Sequence, residues 1–189
     1  MSGDEHHPYL GTNLSPQEYY KRHSHKYHNP HAEGIAEILG RLAHHLHGRV
    51  LDLGCGDGLA TKLLGGHAVS AAQADRGLTF VGADNAPGMV KRYQKETGFP
   101  GVVAGFTDAL PSADSVVSSY AMHLAAPAEV PMMWYRIWET GADTILVITP
   151  FKERPAAPEH YFERAEVVSG PFGPDGKTLH GMVFHRLPE

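Results

Sequence analysis

The sequence predicts an α/β protein in which a doubly wound, mostly parallel sheet of seven strands carries a C-terminal antiparallel hairpin and has helices on both faces. Strand-like and helix-like segments alternate five times along the chain, which is typical of a parallel sheet covered by helices. The run T-I-L-V-I-T at 144–149 is apolar enough for a strand that is buried on both faces. Two final strand-like segments joined by G-P-F-G-P-D-G-K predict the hairpin.

Each element follows from a local pattern. From His31, apolar residues recur at three- and four-residue steps, which predicts a helix that Gly48 ends. Apolar, β-branched runs bounded by turn residues predict the strands. In chain order the predicted helices cover 16–22, 31–48, 59–64, 86–97 and 127–140, and the predicted strands cover 49–53, 79–84, 102–106, 114–119, 144–149, 162–169 and 178–186. The Ala-rich segment 67–77 fits either a helical extension or an inserted loop.

The length of 189 residues predicts one domain. Residues 1–15 are polar and predict a loose N-terminal arm, so the domain is expected to cover 16–189, with 16–48 as a helical N-terminal part. Cys55 is the one cysteine, which excludes an intrachain disulfide. The N-terminus lacks a secretory pattern, and no apolar run reaches the roughly 20 residues of a membrane span. We therefore expect a cytoplasmic protein with no membrane partner.

The charge pattern limits the possible partners. A formal charge of −5 argues against broad, sequence-independent binding to nucleic acid, which depends on Lys and Arg contacts to phosphates. Half of the 14 histidines fall in two clusters, at 23–31 and 44–47. Zinc sites with ordinary spacing combine such histidines with cysteines or carboxylates on rigid elements. We interpret these histidines as surface groups that change charge near neutral pH, and we assign no metal ligands.

The segment 49–61, R-V-L-D-L-G-C-G-D-G-L-A-T, is the most informative stretch of the chain. It predicts a buried strand, a turn built on Gly54, Gly56 and Gly58, and the start of a helix. In open α/β sheets, nucleotide-like ligands bind where a strand leads into such a turn. Glycine permits positive φ angles and lets a ligand approach the backbone closely. Asp52 ends the strand, where it either contacts a ligand or caps the following helix.

Further polar residues follow the next strands. Asp84 closes the second predicted strand in V-G-A-D-N-A-P-G-M, and Asp108 follows the third in T-D-A-L-P. The fourth leads into S-S-Y-A-M-H-L, which contains Ser119 and His123. The carboxyl ends of parallel strands meet at one edge of the sheet, so we expect these side chains to share one site. Turn chemistry is the alternative interpretation of Asp84 and Asp108.

Taken in order, these motifs resemble those of the class I S-adenosylmethionine-dependent methyltransferases, over about residues 17–189. The resemblance implies a Rossmann-like fold, S-adenosylmethionine as the cofactor and S-adenosylhomocysteine as its product. It implies that Asp52 accepts from the ammonium group of the cofactor and that Asp84 accepts from both ribose hydroxyls. The remaining cofactor contacts that it implies are the backbone of Gly54, Cys55 and Gly56 at the methionyl part, Asp108 at the adenine amine, Asn85, Met89 and Ala109 beside the ring, and Ser119 near the methyl group.

Two features concern the acceptor side of the site. The segment Y-K-R-H-S-H-K-Y resembles the aromatic lid of many small-molecule methyltransferases and makes Tyr20 and Tyr27 lid candidates. The alternative is that these tyrosines pack a helix onto the core. His123 follows the fourth strand and is a candidate general base, and the alternative is a structural histidine. Methyl transfer itself depends mainly on alignment, because the sulfonium already activates the methyl group.

The acceptor is predicted less sharply than the cofactor. Aromatic residues at 151 and 160–162 are expected to line the acceptor pocket, which favours a small molecule. An RNA or protein acceptor, or a non-catalytic cofactor-binding module, remains an alternative. A dinucleotide-dependent oxidoreductase is disfavoured because its fingerprint needs a third glycine where this chain has Leu59. The sequence does not indicate an oligomeric state.

Overall fold

The structure is a computed structural model that describes residues 29–67, 77–152, 156–172 and 178–188. The predicted arm at 1–15, the helix at 16–22, and both Tyr20 and Tyr27 lie outside the described residues, as does most of the ambiguous segment 67–77. The division of the chain at residue 16 therefore stays a prediction. None of the helices that the structure describes has the length and apolarity needed to cross a membrane.

Seven strands form one sheet with the order β3-β2-β1-β4-β5-β7-β6. The first five strands pair in parallel, and β7 runs antiparallel to both β5 and β6. The predicted fold is thus confirmed. In chain order the strands are β1 Arg49–Leu53, β2 Thr79–Asp84, β3 Gly101–Val103, β4 Ser115–Ser119, β5 Thr144–Thr149, β6 Phe162–Phe172 and β7 Thr178–Arg186.

Helical segments alternate with the strands. They are α1 Ala32–Leu42 with a 3-10 turn Ala43–His45, α2 Leu59–Lys62 with a π turn Leu63–His67, α3 Pro87–Thr97, a 3-10 turn Met122–Leu124, and α4 Val130–Glu139. Helix α3 ends where Gly98 adopts a left-handed conformation and donates its N–H to the carbonyl of Gln94, as in common helix C-caps.

Several element boundaries differ from the prediction, including the end of β6 at Phe172, and three of the differences have a visible local cause. Strand β3 ends at Val103, because the Gly105 N–H donates to the Asp108 carboxylate and the chain turns there. Helix α4 begins at Val130, because the Glu129 carboxylate accepts from the Ala126 N–H in the preceding turn. The helix after the glycine turn is a single α turn followed by the π turn Leu63–His67. Each of these three differences arises from a local hydrogen bond or turn that apolar periodicity does not report.

The core lies on both faces of the sheet. Alternate residues of β5 enter two separate clusters, one containing Ile145 and one containing Leu146. Trp134 of α4 belongs to the first cluster and Ile38 of α1 to the second. Every residue of β5 is buried, which confirms the prediction from its apolar sequence. The sheet is therefore covered on both sides, and its strand ends are left to form a site.

Helix α1 packs unusually closely against the hairpin. A Cβ placed on Gly181 of β7 would overlap Ile38, and one placed on Gly170 of β6 would lie 3.0 Å from the same side chain. The two glycines thus remove side-chain bulk where the helix crosses the strands. This contact fixes the position of α1 relative to β6 and β7.

Candidate cofactor site

A cavity of about 550 Å³ opens at the carboxyl ends of β1, β2 and β4. This volume falls within the range of about 300–1,000 Å³ typical of small-molecule sites. Residues from four consecutive strand ends contribute to its wall, as expected for an open parallel sheet. Among the residues predicted to contact the cofactor, those that line the cavity are Gly54, Cys55, Gly56, Asp84, Asn85, Met89, Asp108 and Ser119.

The glycine turn forms the floor of the cavity. Gly54, Gly56 and Gly58 have φ angles of 73°, 51° and 77°, values that side chains with a Cβ rarely adopt. A Cβ on Gly54 would overlap the Cβ of Ala121, and one on Gly58 would overlap Thr97. Both the conformation and the space at this turn therefore require glycine. Such a turn leaves room for a ligand to lie against the backbone.

The backbone N–H groups of this turn are already engaged. The Gly54 and Cys55 N–H groups both donate to the carbonyl of Ala83, at 2.8 and 3.0 Å. The Gly56 N–H donates to Asp84 Oδ2 at 3.0 Å. These hydrogen bonds hold the turn against the end of β2. The turn therefore lets a ligand approach the backbone closely, but these three N–H groups already donate within the protein. The thiol of Cys55 is buried, and burial raises its pKa, which agrees with a packing role and not with a nucleophile.

Asp84 is the carboxylate at the centre of the site. It is half-buried, and its second oxygen, Oδ1, accepts from the Ala86 N–H at 2.9 Å. Burial raises the pKa of this carboxyl, and the hydrogen bonds from Ala86 and Gly56 oppose the rise. A carboxylate has about four lone-pair positions, so two backbone donors leave it able to accept from a ligand. The side chain is thereby held rigidly at the cavity wall.

Asp52 has a different position. Its side chain is 2% exposed and does not belong to the cavity lining. Its Oδ2 accepts from the Thr61 hydroxyl at 2.8 Å and from the Thr61 N–H at 3.3 Å, and the hydroxyl is 3.1 Å from the hydroxyl oxygen of Tyr93. Burial raises the pKa of Asp52 to about 7, against the opposing effect of the Thr61 hydrogen bonds. This geometry matches the alternative interpretation, in which Asp52 holds the start of the following helix.

Two more predicted residues lie outside the cavity lining. Ala109 is exposed, and the cavity wall near Asp108 is formed instead by Gly105, Phe106 and Thr107. The early end of β3 explains this, since the chain turns at Gly105 before it reaches Ala109. His123 packs its ring edge-on against Tyr120, with the ring centroids 4.8 Å apart.

Several lining residues carry no signal in the sequence. Asn29, Asp57, Leu59, Leu124 and Glu129 all contribute to the cavity. Asp57 lies within the glycine motif, whereas Asn29 and Glu129 come from the segments before α1 and α4. The N–H of His31 donates to the Asn29 side chain at 2.9 Å. That contact brings the start of α1 to the cavity.

The charges on the lining fit a cationic ligand. Four carboxylates line the cavity, those of Asp57, Asp84, Asp108 and Glu129, and the described lining contains no Lys, Arg or His. A cleft lined by one sign of charge concentrates ligands of the opposite sign. S-adenosylmethionine carries a sulfonium and an ammonium group against one carboxylate. The glycine floor, the rigid Asp84 and this charge pattern therefore all suit that cofactor.

Comparison with known proteins agrees with this geometry. Residues 51–146 match the family model described as "Methyltransferase domain", and no curated protein matches the chain. The chain belongs to this methyltransferase family and is a class I S-adenosylmethionine-dependent methyltransferase. Both the enzyme class and the cofactor predicted from the sequence are confirmed.

Solved structures show the same fold at low sequence identity. The magnesium protoporphyrin IX methyltransferase ChlM from Synechocystis, solved with bound SAM, is 13% identical with a TM-score of 0.62, over 95% of this chain and 94% of that one. The N-methyltransferase NodS from Bradyrhizobium japonicum, solved with S-adenosylhomocysteine, is 12% identical with a TM-score of 0.63, over 93% and 94%. A putative methyltransferase from Haloferax volcanii, in complex with an activator, is 16% identical with a TM-score of 0.61, over 92% and 100%.

Proposed function

We propose that this methyltransferase transfers the methyl group to a small-molecule acceptor. The observation that supports the proposal is a set of ring side chains beside the cavity, formed by His31, Tyr120, His123 and Phe151, which we call the acceptor wall. Tyr120 is a lining residue of the cavity, and its ring stacks on His31 with centroids 4.0 Å apart and planes inclined by 26°. The His123 ring contacts Tyr120 on one side and Phe151, at 5.8 Å, on the other. Such a wall offers apolar faces to a compact, ring-containing acceptor.

The backbone holds Tyr120 in a strained conformation. Its φ angle is 57°, and among the described residues it is the one non-glycine residue with positive φ. Its N–H donates to the carbonyl of Ile148 at 2.7 Å. A non-glycine residue in this region costs about 1–3 kcal/mol, and such strain clusters at functional sites. Tyr120 is also a lining residue of the cavity, so this strained position belongs to the site that we propose for the acceptor.

The size of the site and the solved structures add support. A cavity of about 550 Å³ accommodates a cofactor and a compact acceptor. ChlM, which shares the fold, is named for a small-molecule acceptor, magnesium protoporphyrin IX. A cytoplasmic location belongs to the same proposal and rests on the sequence alone.

We assign the cofactor contacts as follows. Asp84 accepts from the ribose hydroxyls, and Asp108 accepts from the adenine amine between Asn85 and Met89. Ser119 lies near the transferred methyl group, and the backbone of the turn at 54–56 approaches the methionyl part. Because Asp52 is hydrogen-bonded to Thr61, we propose that it reaches the ammonium group only through water.

Two roles on the acceptor side belong to the same proposal. Tyr20 and Tyr27 close over the cofactor, and His123 accepts a proton from the acceptor. The cofactor supplies a methyl group activated by its sulfonium, so the chain's main contribution is to align the acceptor with it.

The acceptor class is tested with methyl-labelled S-adenosylmethionine and a cell extract separated into small-molecule, RNA and protein fractions. We expect label in the small-molecule fraction with the wild-type enzyme and no transfer with Asp84→Ala. Phe151→Ala is expected to raise the KM for the labelled acceptor while the Kd for S-adenosylmethionine stays the same. Transfer of label to RNA or protein, and none to small molecules, would contradict the proposal.

A further inference from the structure

We propose that His44, His45 and Glu166 form a binding site for one divalent transition-metal ion of the Zn²⁺ type, apart from the cofactor cavity. One nitrogen of each histidine and one carboxylate oxygen of Glu166 lie within 4.8 Å of one another. From the sequence alone no metal ligands are assigned, because the histidine cluster comes without a carboxylate or cysteine at ordinary zinc-site spacing. The fold supplies Glu166, which is 121 positions from His45. This proposal is independent of the acceptor and of the cofactor contacts.

The first pair of ligands has a suitable spacing. His45 Nε2 lies 2.9 Å from Glu166 Oε2. Zinc binds imidazole nitrogen and carboxylate oxygen at about 2.0–2.2 Å, so two ligand atoms at this spacing would span a coordination angle of about 90°. A metal ion can therefore take the place of the shared proton with a small movement of either side chain. The His45 side chain is 20% exposed, that of Glu166 is 41% exposed, and His44 is exposed, so an ion can enter the site from solvent.

The third ligand, His44, has one ring nitrogen engaged by the backbone. His44 Nδ1 lies 2.9 Å from the carbonyl oxygen of Arg41. A carbonyl oxygen only accepts, so Nδ1 carries the hydrogen and the neutral ring keeps its lone pair on Nε2. Metal-ligating histidines usually donate their other ring N–H to a carbonyl or carboxylate in this way.

The scaffold brings the ligands from two elements. His44 and His45 lie in the 3-10 turn Ala43–His45 that follows α1, and their rings are 4.1 Å apart. Glu166 lies at a register shift of β6, and bulges of this kind redirect side chains. The close packing of α1 on the hairpin through Ile38 fixes the two elements relative to each other. The site precedes β1, so it lies at the opposite end of that strand from the glycine turn.

The donor set selects the kind of metal. Two imidazole nitrogens and one carboxylate suit Zn²⁺, Co²⁺ or Ni²⁺, whereas Mg²⁺ and Ca²⁺ prefer oxygen ligands. Three protein ligands leave the remaining position to water. A bound ion would connect the end of α1 to the edge strand β6 and stabilise the folded state by mass action.

The test uses the full chain after treatment with a chelator. Calorimetric titration with Zn²⁺ and the visible absorption of added Co²⁺ report affinity, stoichiometry and coordination. We expect one ion to bind at this site, and His44→Gln, His45→Gln and Glu166→Gln each to weaken that binding at least about 10-fold. His47→Gln is the matched control, because His47 is an adjacent exposed histidine that pairs with Asp143 outside the cluster. It is expected to leave the affinity unchanged.

Other histidines of the chain can bind metal independently of this site. The proposal is therefore tested by comparing the Zn²⁺ affinity of the ligand variants with that of the control. Unchanged Zn²⁺ binding in both His45→Gln and Glu166→Gln would overturn the proposal, as would a loss that follows only from His47→Gln. Thermal unfolding without metal shows whether each variant folds, and Zn²⁺ is expected to raise the melting temperature of the wild type but not of Glu166→Gln. Calorimetry with S-adenosylmethionine is expected to give the same affinity with and without Zn²⁺. The metal proposal can therefore fail without affecting the proposed function, and the reverse.

Discussion

Strands β1 and β2 both carry an aspartate near their carboxyl ends, yet the two carboxylates face different surroundings. Asp84 lines the cavity and is held by two backbone N–H groups. Asp52 is buried beneath the turn, where Thr61 and Tyr93 complete a hydrogen-bonded network. The register pairs Asp52 with Gly82 and places Asp84 further along the neighbouring strand. Position at the end of a strand therefore does not decide whether a carboxylate faces the ligand or supports the turn.

A substitution in the glycine turn, which forms the floor of the cavity, is expected to have the largest effect. Gly54→Ala places a Cβ against Ala121 at a φ of 73°. The left-handed conformation costs about 1–2 kcal/mol and the overlap about 1–3 kcal/mol more, so we expect a loss of about 2–5 kcal/mol in the free energy of unfolding, measured with urea. Gly98→Ala is the control, since Gly98 has a similar φ of 76° with nothing near its added Cβ. Equal losses in the two variants would show that the space at Gly54 does not matter.

Removing the cavity-facing carboxylate is expected to have the next largest effect. Hydrogen bonds to charged groups contribute about 1.5–3 kcal/mol each, so Asp84→Ala should weaken S-adenosylmethionine binding by about 100-fold or more in calorimetry. Asp143→Ala is the control, because that exposed carboxylate pairs with His47 outside the cavity. Asp52→Asn is expected to change the same affinity by less than about 10-fold, because no direct contact to the cofactor is lost. If Asp52→Asn weakened S-adenosylmethionine binding more than Asp84→Ala, the assignment of Asp84 as the cavity-facing carboxylate would be contradicted.

The buried carboxylate, Asp52, is expected to change how the free energy of unfolding depends on pH. The pKa of Asp52 is about 7 in the folded state and about 4 in an unfolded chain. Between these values the folded state keeps a proton that the unfolded state releases, so the contribution of Asp52 to stability falls as pH rises from 4 to 7 and is lowest above 7. Asp52→Asn removes this term, which is about 3 kcal/mol between pH 5 and 8. The measurement is urea unfolding of both proteins across that range, and parallel curves would rule out a raised pKa.

A substitution of Tyr93, which contacts Thr61 in the network around Asp52, is expected to have the smallest effect. Tyr93→Phe removes a hydroxyl 3.1 Å from that of Thr61, and a hydrogen bond of this kind contributes about 1 kcal/mol. We expect a loss of that size in the free energy of unfolding and no change in cofactor affinity. In the double variant with Asp52→Asn, the effects of the two substitutions on the free energy of unfolding should not add, because both residues act through Thr61. Simple additivity would show that Tyr93 is not part of the network.

Much of the fold could be predicted because the signals are local and dense. The predicted bounds of β2, β5 and β7 agree with the structure, since each strand is a continuous run flanked by turn residues. The helix predicted at 86–97 is present as α3, and Met89, Val90 and Tyr93 form its buried face. Strand β3 was predicted too long because a side-chain hydrogen bond from a residue beyond it turns the chain at Gly105. Apolar runs report burial, but they do not report such a hydrogen bond.

The cofactor site, like the fold, could be predicted from the sequence only in part. The order of motifs along the chain identified the cofactor, since the glycine turn, Asp84 and Asp108 follow consecutive strands that become neighbours in a parallel sheet. The sequence could not show that the Gly54 and Cys55 N–H groups donate to Ala83. Nor could it show that Asn29 and Glu129 reach the cavity, because these contacts join residues far apart in the chain.

By itself, the sequence determined the class of fold, the glycine turn and the cofactor, because these depend on periodicity and on residue types at fixed spacing. Only the tertiary structure decided which way each carboxylate faces and which rings form the acceptor wall. It alone brought Glu166 to 2.9 Å from His45 across 121 positions. The physical reason is that side-chain direction and long-range proximity are set by packing and strand register, which no local stretch of sequence encodes.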